Sequence, residues 1–519
     1  MKIERILIED QMAPIGLDEK KPAFSWLLTA EEGEQNLMQS ACRIVVRTGE
    51  DTVWDSGKME TGVSTGIGYE GEALQPCTKY EVKAEVWDNH GGKAEAESSF
   101  ETGLMDSLYA AWEGAEWIGA PHATVCAENR GVFTIESEFR MEGGKGEAGI
   151  VFGANDFRLN DHTKNELGME GENYIRYAVC LEDGDARLEI YRVGYAPEDT
   201  AEKPFAVTKL VNWKEKTQEI LTPENADAFH KLTVEVDGNV AYAYVDGILV
   251  DAIEEHGFFG TKVSGRQLNP RGNNDVLPYP RLNEIGFYAG KGTTGYFKNL
   301  TVRNVRKPSA EIVRETPEGR LDGGKSIFAD QIPVENGYFK VEDSQITADP
   351  SHHSIPMLRS CISCQKEKKL ASARLYITAR GIYDCRINGQ EITEDLLRPG
   401  LTQYDHRMNY QTYDITGLMK PGRNGIGVTL ASGWWSEAQT FVVKNFNYFG
   451  DKESLLAKVV MKYEDGSREV FGTNTEDWKY FGEGPYLFSS YFAGEQYDAR
   501  RAEVYETYSL PEFDDSTKS

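Results

Sequence analysis

Apolar and polar side chains alternate in steps of two along most of this chain, and a helical period is almost nowhere to be found. A pattern of that kind gives a strand one buried and one wetted face, and it cannot give a helix a coherent apolar stripe. The run HKLTVEVDGNVAYAYVDGILVD (residues 230–251) shows the pattern most clearly. Punctuation between the alternating runs is equally consistent. Asp183-Gly184, Asp237-Gly238, Asp246-Gly247, Asn388-Gly389 and Asp465-Gly466 are pairs suited to type I′ hairpin turns, which need positive φ at both central positions. The chain therefore reads as all-β.

With 519 residues the chain is too long for one ordinary domain and suggests about three units. Its 56 basic and 84 acidic residues leave a net charge of −28, which repels phosphate-rich partners and anionic membranes and leaves neutral ligands as the default. No nucleic-acid or membrane partner is expected. The opening MKIERILIED never builds the apolar core of a secretion signal, and no stretch approaches the ~18 apolar residues of a membrane span. Seven scattered cysteines (42, 77, 126, 180, 361, 364, 385) fit reduced thiols better than a disulfide framework, so a cytoplasmic location is expected.

Residues 1–105 hold about seven short strands, the size of a fibronectin type III or immunoglobulin-like sandwich. Trp26, Trp54 and Trp87 are expected in its core rather than as sugar-stacking platforms. Trp112–Ile118 reads as an isolated strand. A second unit, 122–310, resembles the concanavalin-like jelly rolls of carbohydrate-active proteins in its long alternating run, followed by IGFYAG and YFKNLTVRN. Residues 311–324, within KPSAEIVRETPEGRLDGG, read as a linker, and a third β-rich unit is expected over 325–510.

Several segments taken together resemble the N-terminal, non-catalytic half of bacterial α-L-rhamnosidases of glycoside hydrolase family 78. They are PAFSW (Pro22–Trp26), VWDSGK (Val53–Lys58), WEGAEWIGA (Trp112–Ala120), ARLYITARGIYDCRINGQEI (Ala373–Ile392), LRPGLTQYDHRMNYQTYDIT (Leu397–Thr416), GRNGIGVTLASGWW (Gly422–Trp435) and GEQYDAR (Gly494–Arg500). The resemblance implies that the WEGAEWI-like strand belongs with the third unit. The jelly roll would then be inserted into a discontinuous sandwich of residues 106–121 plus 325–510, which is cheap because loop-closure entropy grows slowly with length. The family's helical (α/α) barrel, with its acidic pair in an Asp-Cys-Pro-x-Arg-Asp-Glu-type segment, has no counterpart in these residues.

Candidate site residues cluster in the third unit. Glu437, Glu495 and Asp498 are the carboxylates that a general acid and base would need, although Glu495, Asp498 and Arg500 equally suit a local ion-pair set. Trp434 and Trp435 offer indole faces for a pyranose ring, with Tyr404, Asp405 and Arg407 as polar partners on a neighbouring loop; the alternative is that they anchor a core or a domain contact. Cys361 and Cys364 have zinc-compatible spacing but no second pair, and His352 and His353 would point to opposite faces of a strand, so no metal is expected there. Asn155, Asp156, Asn160 and Asp161 form an oxygen-rich loop that calcium would suit, although such clusters are usually solvated turns. No phosphate loop, dinucleotide fingerprint, G-x-S-x-G elbow or HExxH occurs.

These readings lead to an accessory β-portion that positions rhamnose-containing glycans for an α-L-rhamnosidase-like enzyme and is inactive alone. It would work with a catalytic partner chain or as a homo-oligomer, as part of a truncated or split enzyme. Two alternatives stand beside it: a free-standing carbohydrate-binding or protein-interaction module, and a β-domain active site around Glu437, Glu495 and Asp498.

Overall fold

The computed structural model describes residues 1–122, 124–127, 130–156, 173–182, 185–195, 199–212, 220–222, 224–238, 240–253, 280–305, 307–351, 353–437, 447–491 and 494–516. Seven strands between Lys2 and Glu101 form a three-stranded and a four-stranded antiparallel sheet. Alternation decides which side chains meet between them. In Lys79–Asp88, Tyr80, Val82, Ala84 and Val86 join Phe24, Trp26, Ile44 and Phe100 in one core. Trp26 is buried with its indole N–H donating to Gln39 Oε1 at 2.9 Å, and Trp54 packs 5.8 Å from Phe24. Trp87 departs from the expected core position. It is half-buried on the opposite face of its strand, under the ammonium groups of Lys58 and Lys93, because its register is odd where the core positions are even.

The middle unit is two larger sheets around the most extensive core of the molecule. The six-stranded sheet runs in the order Phe205–Asn212, Asp185–Val193, Tyr174–Glu182, Gly146–Ala154, Glu284–Ala289, Gln345–Ala348. The facing sheet is built on Val132–Met141 and His230–Asp237, whose apolar residues alternate inward. The sheets also draw the boundary of this unit about 40 residues beyond position 310. Lys307–Thr316, expected as the end of the unit and a linker, is a strand paired with Leu300–Asn304. Tyr338–Glu342 pairs with Thr294–Phe297, and Gln345–Ala348 with Glu284–Ala289. Polar residues in this stretch alternate with inward ones, and Ile312, Val313, Phe328 and Phe339 reach the core. Composition alone cannot distinguish that from a linker.

The third unit is a sandwich of two five-stranded sheets. One is ordered Gln390–Glu391, Ile382–Ile387, Gly422–Ala431, Met357–Cys364, Lys479–Phe481; the other is Gln411–Asp414, Leu370–Arg380, Ser454–Tyr463, Arg468–Gly472. Ile118–Gly119 adds to the second sheet, with Ile118 opposite Leu455 and Gly119 opposite Ser454. A segment ahead of the middle unit thus lies in a sheet formed after it. The rest of Trp112–Ile118 is not a strand, since Tyr109–Trp112 is a 3-10 turn and Glu113 and Gly114 take positive φ, which breaks extended backbone. Tyr491 sits in the turn after Tyr486–Ser490.

Of the five expected hairpin pairs, Asp246-Gly247 and Asn388-Gly389 have both residues at positive φ. At Asp465-Gly466 only the glycine does, in a four-residue connection where Asp465 accepts from the Ser467 amide, and at Asp237-Gly238 again only the glycine does. Asp183-Gly184 lies outside the described residues.

None of the seven cysteines forms a disulfide. Among the described residues no helix is long and apolar enough to cross a membrane, and no three His, Cys, Asp or Glu side chains converge to hold a metal ion. Asn155 donates to Glu284 Oε2 at 2.8 Å and the Asp156 amide to Asn173 Oδ1 at 3.0 Å, while Asn160, Asp161 and His352 lie outside the described residues.

Candidate functional site

Strand Ile382–Ile387 turns Tyr383, Cys385 and Ile387 into the sandwich core, so Asp384 and Arg386 stand on the outer face of the sheet. The C-terminal segment covers part of that face. Arg359, fully buried on the next strand but one, donates from Nε to the Tyr508 carbonyl at 2.8 Å and from Nη2 to the Leu510 carbonyl at 2.9 Å, and it pairs with Asp515. This docks helix Ala502–Thr507 beside the sheet, with Tyr508 against Met357 and Phe481. A two-stranded ribbon, Tyr486–Ser490 with Gly494–Tyr497, stands next to it.

An open cleft of about 410 Å³ remains between the helix, the ribbon and the loop at 396–398. That size lies in the range of roughly 300–1,000 Å³ typical of ligand sites. Asp384 organises its polar side: Oδ1 accepts from Arg398 Nη2 at 2.9 Å and Oδ2 from the Tyr505 hydroxyl at 3.0 Å. Burial, reinforced by the Asp384 charge, pushes the Tyr505 hydroxyl well above its ordinary pKa, so it stays protonated and donates. Arg398 is 7% exposed, and beside its bond to Asp384 the Tyr413 hydroxyl and the Tyr383 ring favour its charge.

Apolar Ile382, Leu396 and Leu397 also line the cleft. Leu397 is held at φ 60, a left-handed conformation that costs a non-glycine residue about 1 kcal/mol or more. Tyr491 closes one end and stacks on Trp434 with ring centroids 4.5 Å apart and planes 28° from parallel.

The residues singled out from sequence fall in different places. Gly433 and Glu495 line the cleft, and Trp434 backs it through Tyr491. Glu495 is exposed, with the Ser489 hydroxyl 3.4 Å away. Trp435 does not line the cleft. Its N–H donates to the Lys452 carbonyl at 3.0 Å and its ring packs with Tyr404 and Phe449. Tyr404 is buried there, donating to the Gly400 carbonyl at 3.0 Å, and burial pushes its hydroxyl up to about 12. Asp405 and Arg407 are exposed on the adjoining loop and do not line the cleft.

Asp498 accepts from Arg500 Nε and Nη2, both at 2.8 Å, and the Arg500 guanidinium holds its carboxyl down at about 2. That is the local ion pair which its neighbourhood in sequence allowed. Glu437 is buried in a second cavity of about 70 Å³, which shares only Ile355 and Ser489 with the cleft and lies where the middle and third units meet. Arg130 and Glu453 line it too, with the Ser436 hydroxyl donating to Glu453. It has room for a few waters and none for a sugar ring. Among the described residues Glu437 and Glu495 therefore line different cavities, and Asp498 is taken up by its pair with Arg500.

Asp384, Arg398 and Tyr505 went unnoticed in the sequence. The available signal was a carboxylate at an outward position of a strongly alternating strand, followed within 14 residues by an Arg-Pro-Gly loop.

Fold and cleft together define an all-β chain of three packed sandwich units with an amphipathic cleft on its last sandwich. Comparison with known proteins narrows the class. The "Alpha-L-rhamnosidase N-terminal domain" family matches residues 368–519, and the "Rha78A-like, N-terminal immunoglobulin domain" family matches residues 3–106. An α-L-rhamnosidase of Streptomyces avermitilis is 26% identical over 518 residues, covering 98% of this chain and 43% of that protein. One from Formosa agariphila is 39% identical over 132 residues, covering 25% of this chain and 14% of its own length. The crystal structure of the Streptomyces avermitilis α-L-rhamnosidase complexed with L-rhamnose shares the fold over 100% of this chain and 44% of that one, with a TM-score of 0.55 at 20% identity. Its first and last units are thus similar to N-terminal domains of α-L-rhamnosidases, and the chain spans less than half the length of these curated relatives.

Proposed function

We propose that this chain is the carbohydrate-positioning β-portion of an α-L-rhamnosidase-like glycoside hydrolase acting on terminal α-L-rhamnosides, and that a glycan rests in the cleft beside Asp384 and Arg398. The observation that carries the reading is the pairing, in one cleft, of a stacked aromatic pair, Tyr491 on Trp434, with the hydrogen-bonded polar set Asp384, Arg398 and Tyr505. Aromatic faces attract the C–H face of a pyranose, and a guanidinium donates to its hydroxyls.

Hydrolysis with inversion needs two carboxyl groups across one sugar ring, about 6.5–9.5 Å apart. Glu437, Glu495 and Asp498 stand apart in separate environments, which favours positioning over cleavage by these residues. Catalysis would come from a further region of the protein or from a partner chain.

Two measurements test this. The purified chain should release no aryl alcohol from an aryl α-L-rhamnopyranoside above a buffer control, while calorimetric titration with rhamnosides should show saturable binding. Turnover would overturn the non-catalytic reading, and absence of binding would overturn the positioning role.

A further inference from the structure

We infer that a second cleft, where the first and third units meet, binds a compact oxyanion such as a carboxylate or a sulfate, and that Lys462 and Arg468 hold it. The site is separate from the cleft beside Asp384 and does not depend on the glycan role proposed for that one. Strand Ser454–Tyr463 shows why cations gather there. Leu455, Ala457, Val459 and Met461 point into the core of the third sandwich. Leu456, Lys458, Val460 and Lys462 therefore face the other way, and Leu456 and Val460 pack with Leu104 and Trp112. Lys458 and Lys462, with Arg468 of the neighbouring strand, line an open cleft of about 460 Å³, and Cys77 and Leu104 line it too. Its size and its place at a domain junction are those of ligand sites.

The charges in this cleft run against the rest of the molecule. Three basic side chains share the lining with two acidic ones, Asp106 and Glu113, in a chain that has 56 basic and 84 acidic residues. Lys462 stands directly opposite Arg468 in the sheet register, an arrangement in which like charges repel and destabilise the pairing. Glu113 answers part of this charge, because its Oε2 accepts from Arg468 Nη2 at 2.6 Å and from Lys458 Nζ at 2.8 Å. Those bonds, that of Arg468 first, hold the Glu113 carboxyl down at about 2. Lys458 is buried and also donates to the Ala111 carbonyl at 2.6 Å. Asp106 is exposed, with Oδ1 accepting from the Leu108 amide at 2.8 Å.

Lys462 is left over. Its ammonium donates to the Cys77 carbonyl at 2.7 Å, and among the described residues it pairs with no carboxylate. A lysine carries three donors and an arginine five, so Lys462 and the partly exposed Arg468 both have donors beyond those bonds. An oxyanion accepting from both would replace the repulsion of the opposed pair with two charge-assisted hydrogen bonds.

The test is calorimetric titration of the full chain with sodium sulfate, with sodium D-glucuronate and with neutral D-glucose, at ionic strength matched with sodium chloride. Saturable binding of at least one anion, and none of glucose, is expected. Sulfate alone would identify a free inorganic anion as the ligand, glucuronate alone an acidic sugar, and both the oxyanion head itself; each supports the inference. Lys462→Gln should weaken binding about tenfold, the effect of losing one hydrogen bond to a charged group, with an unchanged thermal transition. Glu113→Gln removes the competing carboxylate and should tighten binding about threefold. If that variant does not fold, Lys462→Gln decides alone. Methyl α-L-rhamnopyranoside should not displace the anion.

Absence of anion binding, equal binding of glucose, or anion affinity untouched by Lys462→Gln would overturn the inference while leaving the rhamnoside titration, and the role it tests, unaffected. Displacement by the rhamnoside would place the anion in the other cleft and overturn it as well.

Discussion

Trp434 and Trp435 are neighbours in sequence with different work to do. Trp435 is fixed by the Lys452 carbonyl and by Gly450, where an added Cβ would lie 2.1 Å from the indole nitrogen. Trp434 stacks on the exposed Tyr491 at the cleft. Trp435→Ala should therefore cost about 2–4 kcal/mol in denaturant unfolding, while Trp434→Ala should chiefly weaken glycan binding in a titration. Asp498 makes a pH-dependent contribution. Its carboxyl is held at about 2, chiefly by the Arg500 hydrogen bonds, below the ordinary value near 3.9. A depressed carboxyl stabilises the fold above the unfolded pKa and loses that effect as pH falls through the folded one. Asp498→Asn should lower the melting temperature slightly and evenly from pH 7 to about 5, and the gap to the native chain should close between about pH 4 and 2. The Asp498–Arg500 pair was legible in sequence because the partners are two positions apart. Asp384–Arg398 was not, because the loop that returns Arg398 to its strand is specified by packing at both ends.

At the scale of elements, strand existence was legible and strand membership was not. Alternation predicted most strands of the middle unit, yet residues 311–324 are polar enough to pass for a linker, and residues 325–348 were expected in the third unit. The test of its real role is Gly286, where an added Cβ would lie 1.8 Å from the Ile346 carbonyl oxygen of the paired strand Gln345–Ala348. Gly286→Val should pry that strand away and lower the denaturation midpoint of the middle unit. A fragment of residues 122–350 should show a cooperative thermal transition. One ending at 310 should not, because it lacks Phe328, Phe339 and Val341, and each lost core phenylalanine alone costs about 3–5 kcal/mol.

Across the whole molecule, the first and third units are clamped together. Arg374 meets Glu101 through two bonds of 2.7 Å, and Tyr410 donates to Asp18 Oδ2 at 2.6 Å while accepting the Leu104 amide at 2.7 Å. Both members of the ion pair are largely buried, so removing one leaves the other uncompensated. Arg374→Ala should cost about 3 kcal/mol and split a single calorimetric transition into two, the first unit melting earlier; an unchanged single transition would show that the clamp is dispensable. The all-β class, the strand-rich units and the likeness of the first and last of them to α-L-rhamnosidase domains were determined by the sequence itself, because alternation and turn chemistry act between near neighbours. The tertiary structure alone decided which strands share a sheet, which carboxylates share a cavity and which face of the last sandwich stays open. Tyr505 reaches Asp384 across 121 positions of chain, and Ile118 finds Leu455 across the entire middle unit. Such partners are chosen by the burial of whole faces, which no local pattern encodes.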